Sequence, residues 1–316
     1  MCKRKHRKNI YVSFLVMTIF LMCMLWFYMV SNVQKARSID QWMYGITIDD
    51  TWYERVSVHE IVDAIKNMPV KPTVRVVMSL DRSPSTYETL FKELNQVAYV
   101  MASPVDSSDM SSYKDEESYL KRFKETYDVL SMYVDVWEIG NEINGIEWIQ
   151  QDSKLIVNKV SQVSAFIKDK GAKSAVTLYY TDPSKEDMFD WMSKYFSDSW
   201  TLEIDYILIS YYEDDNDGYK PDWNIVFSSL EAYFPSSKLG IGECGNTAID
   251  ASDDSKISRI RSYYSAQKYS ESFVGGYFWW YWVEDCIPHT YNKLYEEINY
   301  GMQLQEIMLD EENKKR

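Results

Sequence analysis

Short apolar runs rich in Val, Ile, Tyr and Phe recur along the chain from residue 43 onward, and longer amphipathic stretches separate them. The runs are "MYGITI" (43–48), "TVRVVMS" (73–79), "VAYVMA" (97–102), "VDVWEIG" (134–140), "SAVTLYY" (174–180), "DYILISY" (205–211), "KLGIGE" (238–243) and "GGYFWWYW" (275–282). Between them lie 58–68, 119–133, 154–170, 224–234 and 291–307, where apolar residues return every three or four positions and predict helices. In the first of these the stripe is Val58, Ile61, Val62 and Ile65. Strands alternating with helices predict a parallel sheet covered by helices. Eight such units in one domain of this length predict the α/β class and a closed (β/α)8 TIM barrel, single-domain, over residues 43–308. An open doubly wound sheet is the alternative, but the first strand runs into "DDTW" and no Gly-rich phosphate loop follows it.

A different pattern precedes the barrel. Residues 1–9, "MCKRKHRKN", are strongly basic, and residues 10–30 run without a charge. About 20 apolar residues cross a bilayer as a helix, and basic residues ahead of a span favour a cytoplasmic N-terminus. The expectation is a basic cytoplasmic tail (1–9), a transmembrane anchor (10–30), a linker (31–42) and an extracellular barrel held at the cell membrane. A cleaved signal peptide, giving a secreted protein, is the alternative. The apolar run is long for one, and Ala36 and Ser38, the nearest small-x-small pair, sit well downstream. Residues 309–316 read as a tail.

Charge sharpens the division. Of 34 Lys and Arg, seven lie in residues 1–38, a segment with no Asp or Glu; the remaining 27 face all 48 acids. A body this acidic repels a polyanion and argues against nucleic acid as a partner. Aromatic residues make up 16% of the chain, with 26 Tyr and 11 Trp, which suits either a Tyr-rich core or a cleft lined for flat, amphipathic ligands. Three His and four Cys provide no zinc spacing, so no metal or cofactor is expected. Cys244 and Cys286 are the two cysteines of the body, and either one disulfide or two buried thiols fits them.

In a barrel of this kind the site lies where the strands end. Strand four ends in Asn141-Glu142 and strand seven in Glu243. These strands lie on separated parts of the rim, facing one another across the mouth. Two carboxylates about 5 Å apart are what a retaining glycosidase uses, one as proton donor and one as nucleophile. Here "WEIGNE", followed by the Glu of "GIGECG", resembles the retaining TIM-barrel glycoside hydrolases of clan A. That resemblance implies Glu142 as acid/base and Glu243 as nucleophile. It implies Asn141 at a sugar hydroxyl, Arg75 of strand two beside the nucleophile, Tyr212 or Tyr211 donating to it, and Trp280 as the floor of the reactive subsite. The stretches "PTVRVV", "WEIGNEING", "DYILISYYEDD", "GECG" and "GYFWWYW" are also similar to a group of bacterial barrel proteins of unassigned activity. "GNEING" and "SYYEDD" resemble the endo-galactanases of the clan. The chain departs from many clan members in having no histidine near strands two and three, which leaves the sugar open.

Strand alternation sorts the neighbours. Tyr211 and Tyr212 point to opposite faces, so one enters the site, and Tyr212 is favoured. Trp280 and Trp282 share a face and are both assigned to substrate. Glu138, inside strand four, reads as a structural carboxylate tied to an arginine or the backbone. The acidic loop "EDDNDGYKPDW" (213–223) only loosely mimics a calcium loop, since its twelfth position is Asn224 and not Glu. Asp214 as a hydroxyl ligand and Trp223 as a stacking surface are the better expectation there. Asp49, Asp50, Trp52, Asp81 and Asp106 follow strands one to three and are candidates for the cleft.

The reading is a membrane-tethered extracellular retaining glycoside hydrolase that cleaves a β-linked poly- or oligosaccharide by double displacement. Its partners would be the carbohydrate and, through the N-terminal helix, the membrane. A non-catalytic glycan-binding barrel in cell-surface polysaccharide assembly, or a transglycosylase, would use the same cleft.

Overall fold

In the computed structural model, which describes residues 42–196, 204–264 and 268–315, the eight apolar runs pair in chain order into one closed parallel barrel. The strands are β1 (Met43–Ile48), β2 (Thr73–Val77), β3 (Tyr99–Ser103), β4 (Val136–Gly140), β5 (Lys173–Tyr179), β6 (Tyr206–Tyr211), β7 (Lys238–Cys244) and β8 (Phe273–Trp279). The helices, renumbered along the chain, are α1 (Val58–Lys66), α2 (Glu88–Val97), α3 (Glu116–Leu130), α4 (Ile146–Ile149), α5 (Ser153–Asp169), α6 (Met188–Tyr195), α7 (Trp223–Tyr233), α8 (Asp253–Tyr264), α9 (Trp282–Cys286) and α10 (Lys293–Lys315). The (β/α)8 barrel predicted from the sequence is the architecture observed. The expected anchor at 10–30 lies outside the described residues. Among the described residues no helix is long and apolar enough to cross a membrane.

Two local devices shape the barrel. Several helices begin on side chains that satisfy their free N–H groups: Ser57 with Glu60, and Asp115 with Ser118, form reciprocal capping boxes at α1 and α3. Closure depends on Gly275 and Gly276 in β8, which have φ of 82° and 99°. A Cβ at Gly276 would lie 2.1 Å from the carbonyl oxygen of Ile241 in β7, so only glycine lets the last strand settle between β7 and β1.

β8 also starts and ends earlier than expected. The strand ends at Trp279, and Tyr281 leads into α9. Trp280 is therefore a loop residue and Trp282 a helical one, and the two do not share a strand face. At the far end, α10 continues to Lys315 and takes in most of the segment read as a tail. Its later turns have something to pack on: Gln305 accepts a hydrogen bond from Trp42 Nε1 at 3.1 Å, and Met308 and Leu309 line a small cleft with Trp42. Periodicity does not single out α2, α4, α6, α8 and α9.

The barrel interior is layered. Met101, Val136, Ala175, Tyr206 and Leu208 form an apolar floor. Side chains two residues further along their strands point the same way, and there the interior turns polar: Glu138 follows Val136, Thr177 follows Ala175, and Ser210 follows Leu208. Most of the remaining buried apolar side chains form the shell between barrel and helices. Cys244 and Cys286 are buried there as free thiols, so no bridge joins them. Burial pushes both thiols well above their usual range.

Candidate active site

Arg75 is where the polar layer starts. It stands in the middle of β2 and is fully buried. Its Nε donates to Glu138 Oε2 at 2.8 Å, and its Nη1 donates to Glu243 Oε2 at 2.7 Å. Glu138 also accepts from Thr177 Oγ1 at 2.5 Å. Glu138 is thus the structural carboxylate that the sequence suggested. Burial alone would lower the Arg75 guanidinium, but the charges of Glu138 and Glu243 outweigh it and raise its pKa. The cation is fixed, and one of its nitrogens, Nη2, has no protein acceptor.

Glu243 lies near the end of β7. Besides Arg75 it accepts a hydrogen bond from Tyr212 OH at 2.8 Å. Tyr212 reaches it because β6 keeps alternating: Leu208, Ser210 and Tyr212 face inward, while Tyr211 faces the helices. Tyr263 OH donates to the Tyr211 carbonyl, and Tyr211 OH donates to the Tyr219 carbonyl, which commits Tyr211 to packing. Gly245 leaves room for this arrangement, since a Cβ there would come to 3.0 Å from the Tyr212 ring and 3.7 Å from Trp280. Trp280 is half-buried and lies over the Arg75 guanidinium at 5.6 Å, on the Glu243 side of the mouth.

Glu142 is reached through a turn that the sequence "GNEING" builds. Its φ of 45° is left-handed, a conformation of order 1 kcal/mol above the usual ones for a non-glycine residue. The surroundings hold it there. Asn144 takes the place of a strand residue: its Nδ2 donates to the Tyr179 carbonyl and its Oδ1 accepts from Tyr179 N, each at 2.8 Å. Gly145 N returns to the Glu142 carbonyl at 2.7 Å. The carboxyl accepts from Ser210 Oγ on Oε1 at 2.6 Å and from Ser107 Oγ on Oε2 at 2.8 Å. Ser107 Oγ in turn accepts from Trp148 Nε1 at 3.1 Å. Beside Glu142, Asn141 Nδ2 donates to Asp106 Oδ1 at 3.0 Å, while Asn141 Oδ1 is buried without a protein donor.

The two carboxyls therefore have different surroundings. Burial is the largest influence on Glu142; the Asp106 charge adds to it, the serine hydroxyls and Arg75 oppose it, and the pKa rises to about 7. Burial, then the charge of Glu142, also raises Glu243 well above the usual carboxylate range, against the pull of Arg75 and Tyr212. A single proton shared by the pair belongs on Glu142, whose donors are neutral hydroxyls, and not on Glu243, which faces the guanidinium. Once Glu142 is protonated, its charge no longer raises Glu243, and burial is left to be opposed by Arg75 and Tyr212.

Of the residues proposed from sequence, the fold gathers Arg75, Asn141, Glu142, Tyr212, Glu243 and Trp280, with Asp106 alongside. Two tryptophans go elsewhere. Trp282 is fully buried in the shell at the start of α9 and offers no face to a ligand. Trp223, the first residue of α7, packs its ring among Tyr180, Tyr211 and Phe227, outside the barrel wall. Asp214 Oδ2 accepts from Thr247 N and Thr247 Oγ1 at 2.7 and 2.6 Å, tying the loop after β6 to the loop after β7. Two contacts to Glu142 went unnoticed in the sequence. Ser210 was legible from its two-residue spacing to Tyr212. Ser107 lies in "VDSSD", a stretch that signals only a helix cap.

No protein-family model matches the chain, and no curated protein matches it in sequence. Solved structures do match the fold. A family 1 β-glucosidase from Thermotoga maritima aligns with 78% of this chain and 89% of its own, at 11% identity and a TM-score of 0.56. A glucosidase from Croceicoccus marinus aligns with 76% of this chain and 59% of its own, at 14% identity and a TM-score of 0.55. Gas2p of Saccharomyces cerevisiae, solved with laminaritriose and laminaritetraose, aligns with 83% of this chain and 64% of its own, at 14% identity and a TM-score of 0.50. This chain thus spans less than two thirds of the latter two. At these identities the neighbours show the barrel fold.

Proposed function

We propose that the protein is a retaining glycoside hydrolase, with Glu142 as acid/base and Glu243 as nucleophile. The observation that carries the proposal is the asymmetry of the carboxyl pair. One carboxyl rests on neutral serine hydroxyls with its pKa raised to about 7, and the other sits on a buried guanidinium and a tyrosine hydroxyl. An acid that holds its proton near neutrality beside a carboxylate that faces a cation is the division of labour that double displacement needs.

In the first step Glu243 attacks the anomeric carbon and Glu142 gives its proton to the leaving oxygen, so the glycosidic bond breaks as the glycosyl ester forms. In the second step Glu142, now a base, takes a proton from water, which attacks the anomeric carbon and frees Glu243. Arg75 Nη2 and Asn141 Oδ1, a donor and an acceptor, are buried without protein partners beside the pair. Trp280 provides a flat face for the ring. The neighbours that carry laminari-oligosaccharides or are β-glucosidases favour a β-linked substrate. The charge-free run at 10–30 supports tethering at the membrane with the barrel outside.

The test is a panel of β-linked glycans with the protein and its Glu142→Gln and Glu243→Gln variants. The proposal expects release of sugars by the wild type and a loss on the order of a thousandfold or more in each variant. A variant that keeps full activity would remove that glutamate from the scheme.

A further inference from the structure

The mechanism uses Trp280 on the Glu243 side of the mouth but leaves a second tryptophan unexplained. Trp148, in the short α4 after β4, keeps 37% of its surface exposed, whereas the other large aromatics around the pair are mostly covered. Its position is fixed by three things. Its Nε1 donates to Ser107 Oγ, the hydroxyl that itself donates to Glu142 Oε2. Its ring meets Tyr179 edge-on, with centroids 4.9 Å apart and planes at 82°. Gly145 clears space for it, since a Cβ there would fall 2.0 Å from indole Cζ2. A large flat side chain is thus held part-exposed, two hydrogen bonds from the proton donor, over a position where any Cβ would displace it.

Resting on the function just proposed, we infer that Trp148, braced by Tyr179, is a leaving-group subsite: the platform for the sugar ring that departs. The direction follows from the chemistry. The acid protonates the leaving oxygen, so the leaving group lies on the acid's side of the scissile bond. Trp148 is joined to Glu142 through Ser107, while Trp280 is joined to Glu243 through Arg75. The two indoles are therefore tied to different carboxyls of the pair. A sugar ring presents apolar C–H faces that suit an indole surface, and its hydroxyls remain in water. The occupant is one sugar residue of an oligosaccharide; a substrate with a single-atom leaving group would not touch it.

That contrast supplies the test. Turnover is measured on two matched pairs, laminaritetraose with β-glucosyl fluoride and β-1,4-galactotetraose with β-galactosyl fluoride, for the wild type and two variants. Trp148→Ala should lose on the order of tenfold or more in kcat/KM on the oligosaccharide, with the fluoride changed less than about twofold. Trp148→Phe keeps a flat face and should retain most of the oligosaccharide activity, and melting temperatures check that each variant folds. Equal losses on both members of a pair, or no loss on either, would overturn the subsite and leave the hydrolase standing. A wild type that turns over neither pair would sink both.

Discussion

Removing the hydroxyl of Ser210 tests how the site sets its acid. Ser210 Oγ donates to Glu142 Oε1 at 2.6 Å, deep in the barrel, and lowers a pKa that burial has raised to about 7. A hydrogen bond to a charged group contributes about 1.5 kcal/mol in a protein. Ser210→Ala removes that stabilisation from the carboxylate and takes much less from the protonated acid. One pKa unit corresponds to about 1.4 kcal/mol, so Glu142 should rise by about one unit. The acid must carry its proton to serve the leaving group, so activity falls as pH rises through this pKa. The alkaline limb of kcat/KM should therefore move upward by about one unit. The assay is a pH series of kcat/KM on a cleaved β-glycan, with the melting temperature followed in parallel. Ser107→Ala should move the limb in the same direction by less, since its hydroxyl is the weaker influence on Glu142. A limb that stays in place, or moves toward acid, would refute the reasoning: either the limb is not Glu142 or the serines do not stabilise its anion.

Two further expectations concern stability. Because Glu142 keeps its proton in the folded chain up to about pH 7 while the unfolded chain releases it near 4.5, the folded state binds more protons between those values and stability declines as pH rises across them. The accumulated cost is about 3 kcal/mol above pH 7, so Glu142→Gln should melt several degrees higher than wild type at pH 8 and nearly level with it at pH 4.5, as followed by circular dichroism. In Arg75→Met, Glu138 and Glu243 both lose their buried cation, and breaking a buried pair in this way costs roughly 3–5 kcal/mol. Adding Glu138→Gln to that variant should recover part of the loss in a denaturant titration, because the change removes one of the two stranded carboxylates.

The barrel was legible because each strand writes its inner face at every second residue. The same alternation that makes Val136, Glu138 and Gly140 one series picks Tyr212 over Tyr211, and it would have picked Ser210 as well. The pairing of Glu142 with Glu243 came from strand ends, which a closed barrel brings to one rim. Tryptophans were harder to place. "GGYFWWYW" reads as one continuous strand, yet Gly275 and Gly276 take positive φ to close the barrel, the strand stops at Trp279, and Trp282 turns into the shell. Trp223 follows a helix cap on Asp222 and packs on the outer wall, which loop composition does not reveal. Ser107 and Trp148 were missed because their roles rest on contacts between the β3 and β4 loops. No spacing within either loop encodes those contacts.

The central claim, that Glu243 attacks and Glu142 protonates, fixes the configuration of the sugar at the moment of release. Proton NMR during the first minutes of cleavage of a β-linked oligosaccharide reads it directly, before the free sugar equilibrates its anomers. Two inversions in sequence return the starting configuration, so the β-anomer should appear first and the α-anomer should grow in later by mutarotation. An α-anomer formed first would mean a single displacement by water, and the assignment of Glu243 as nucleophile would be wrong.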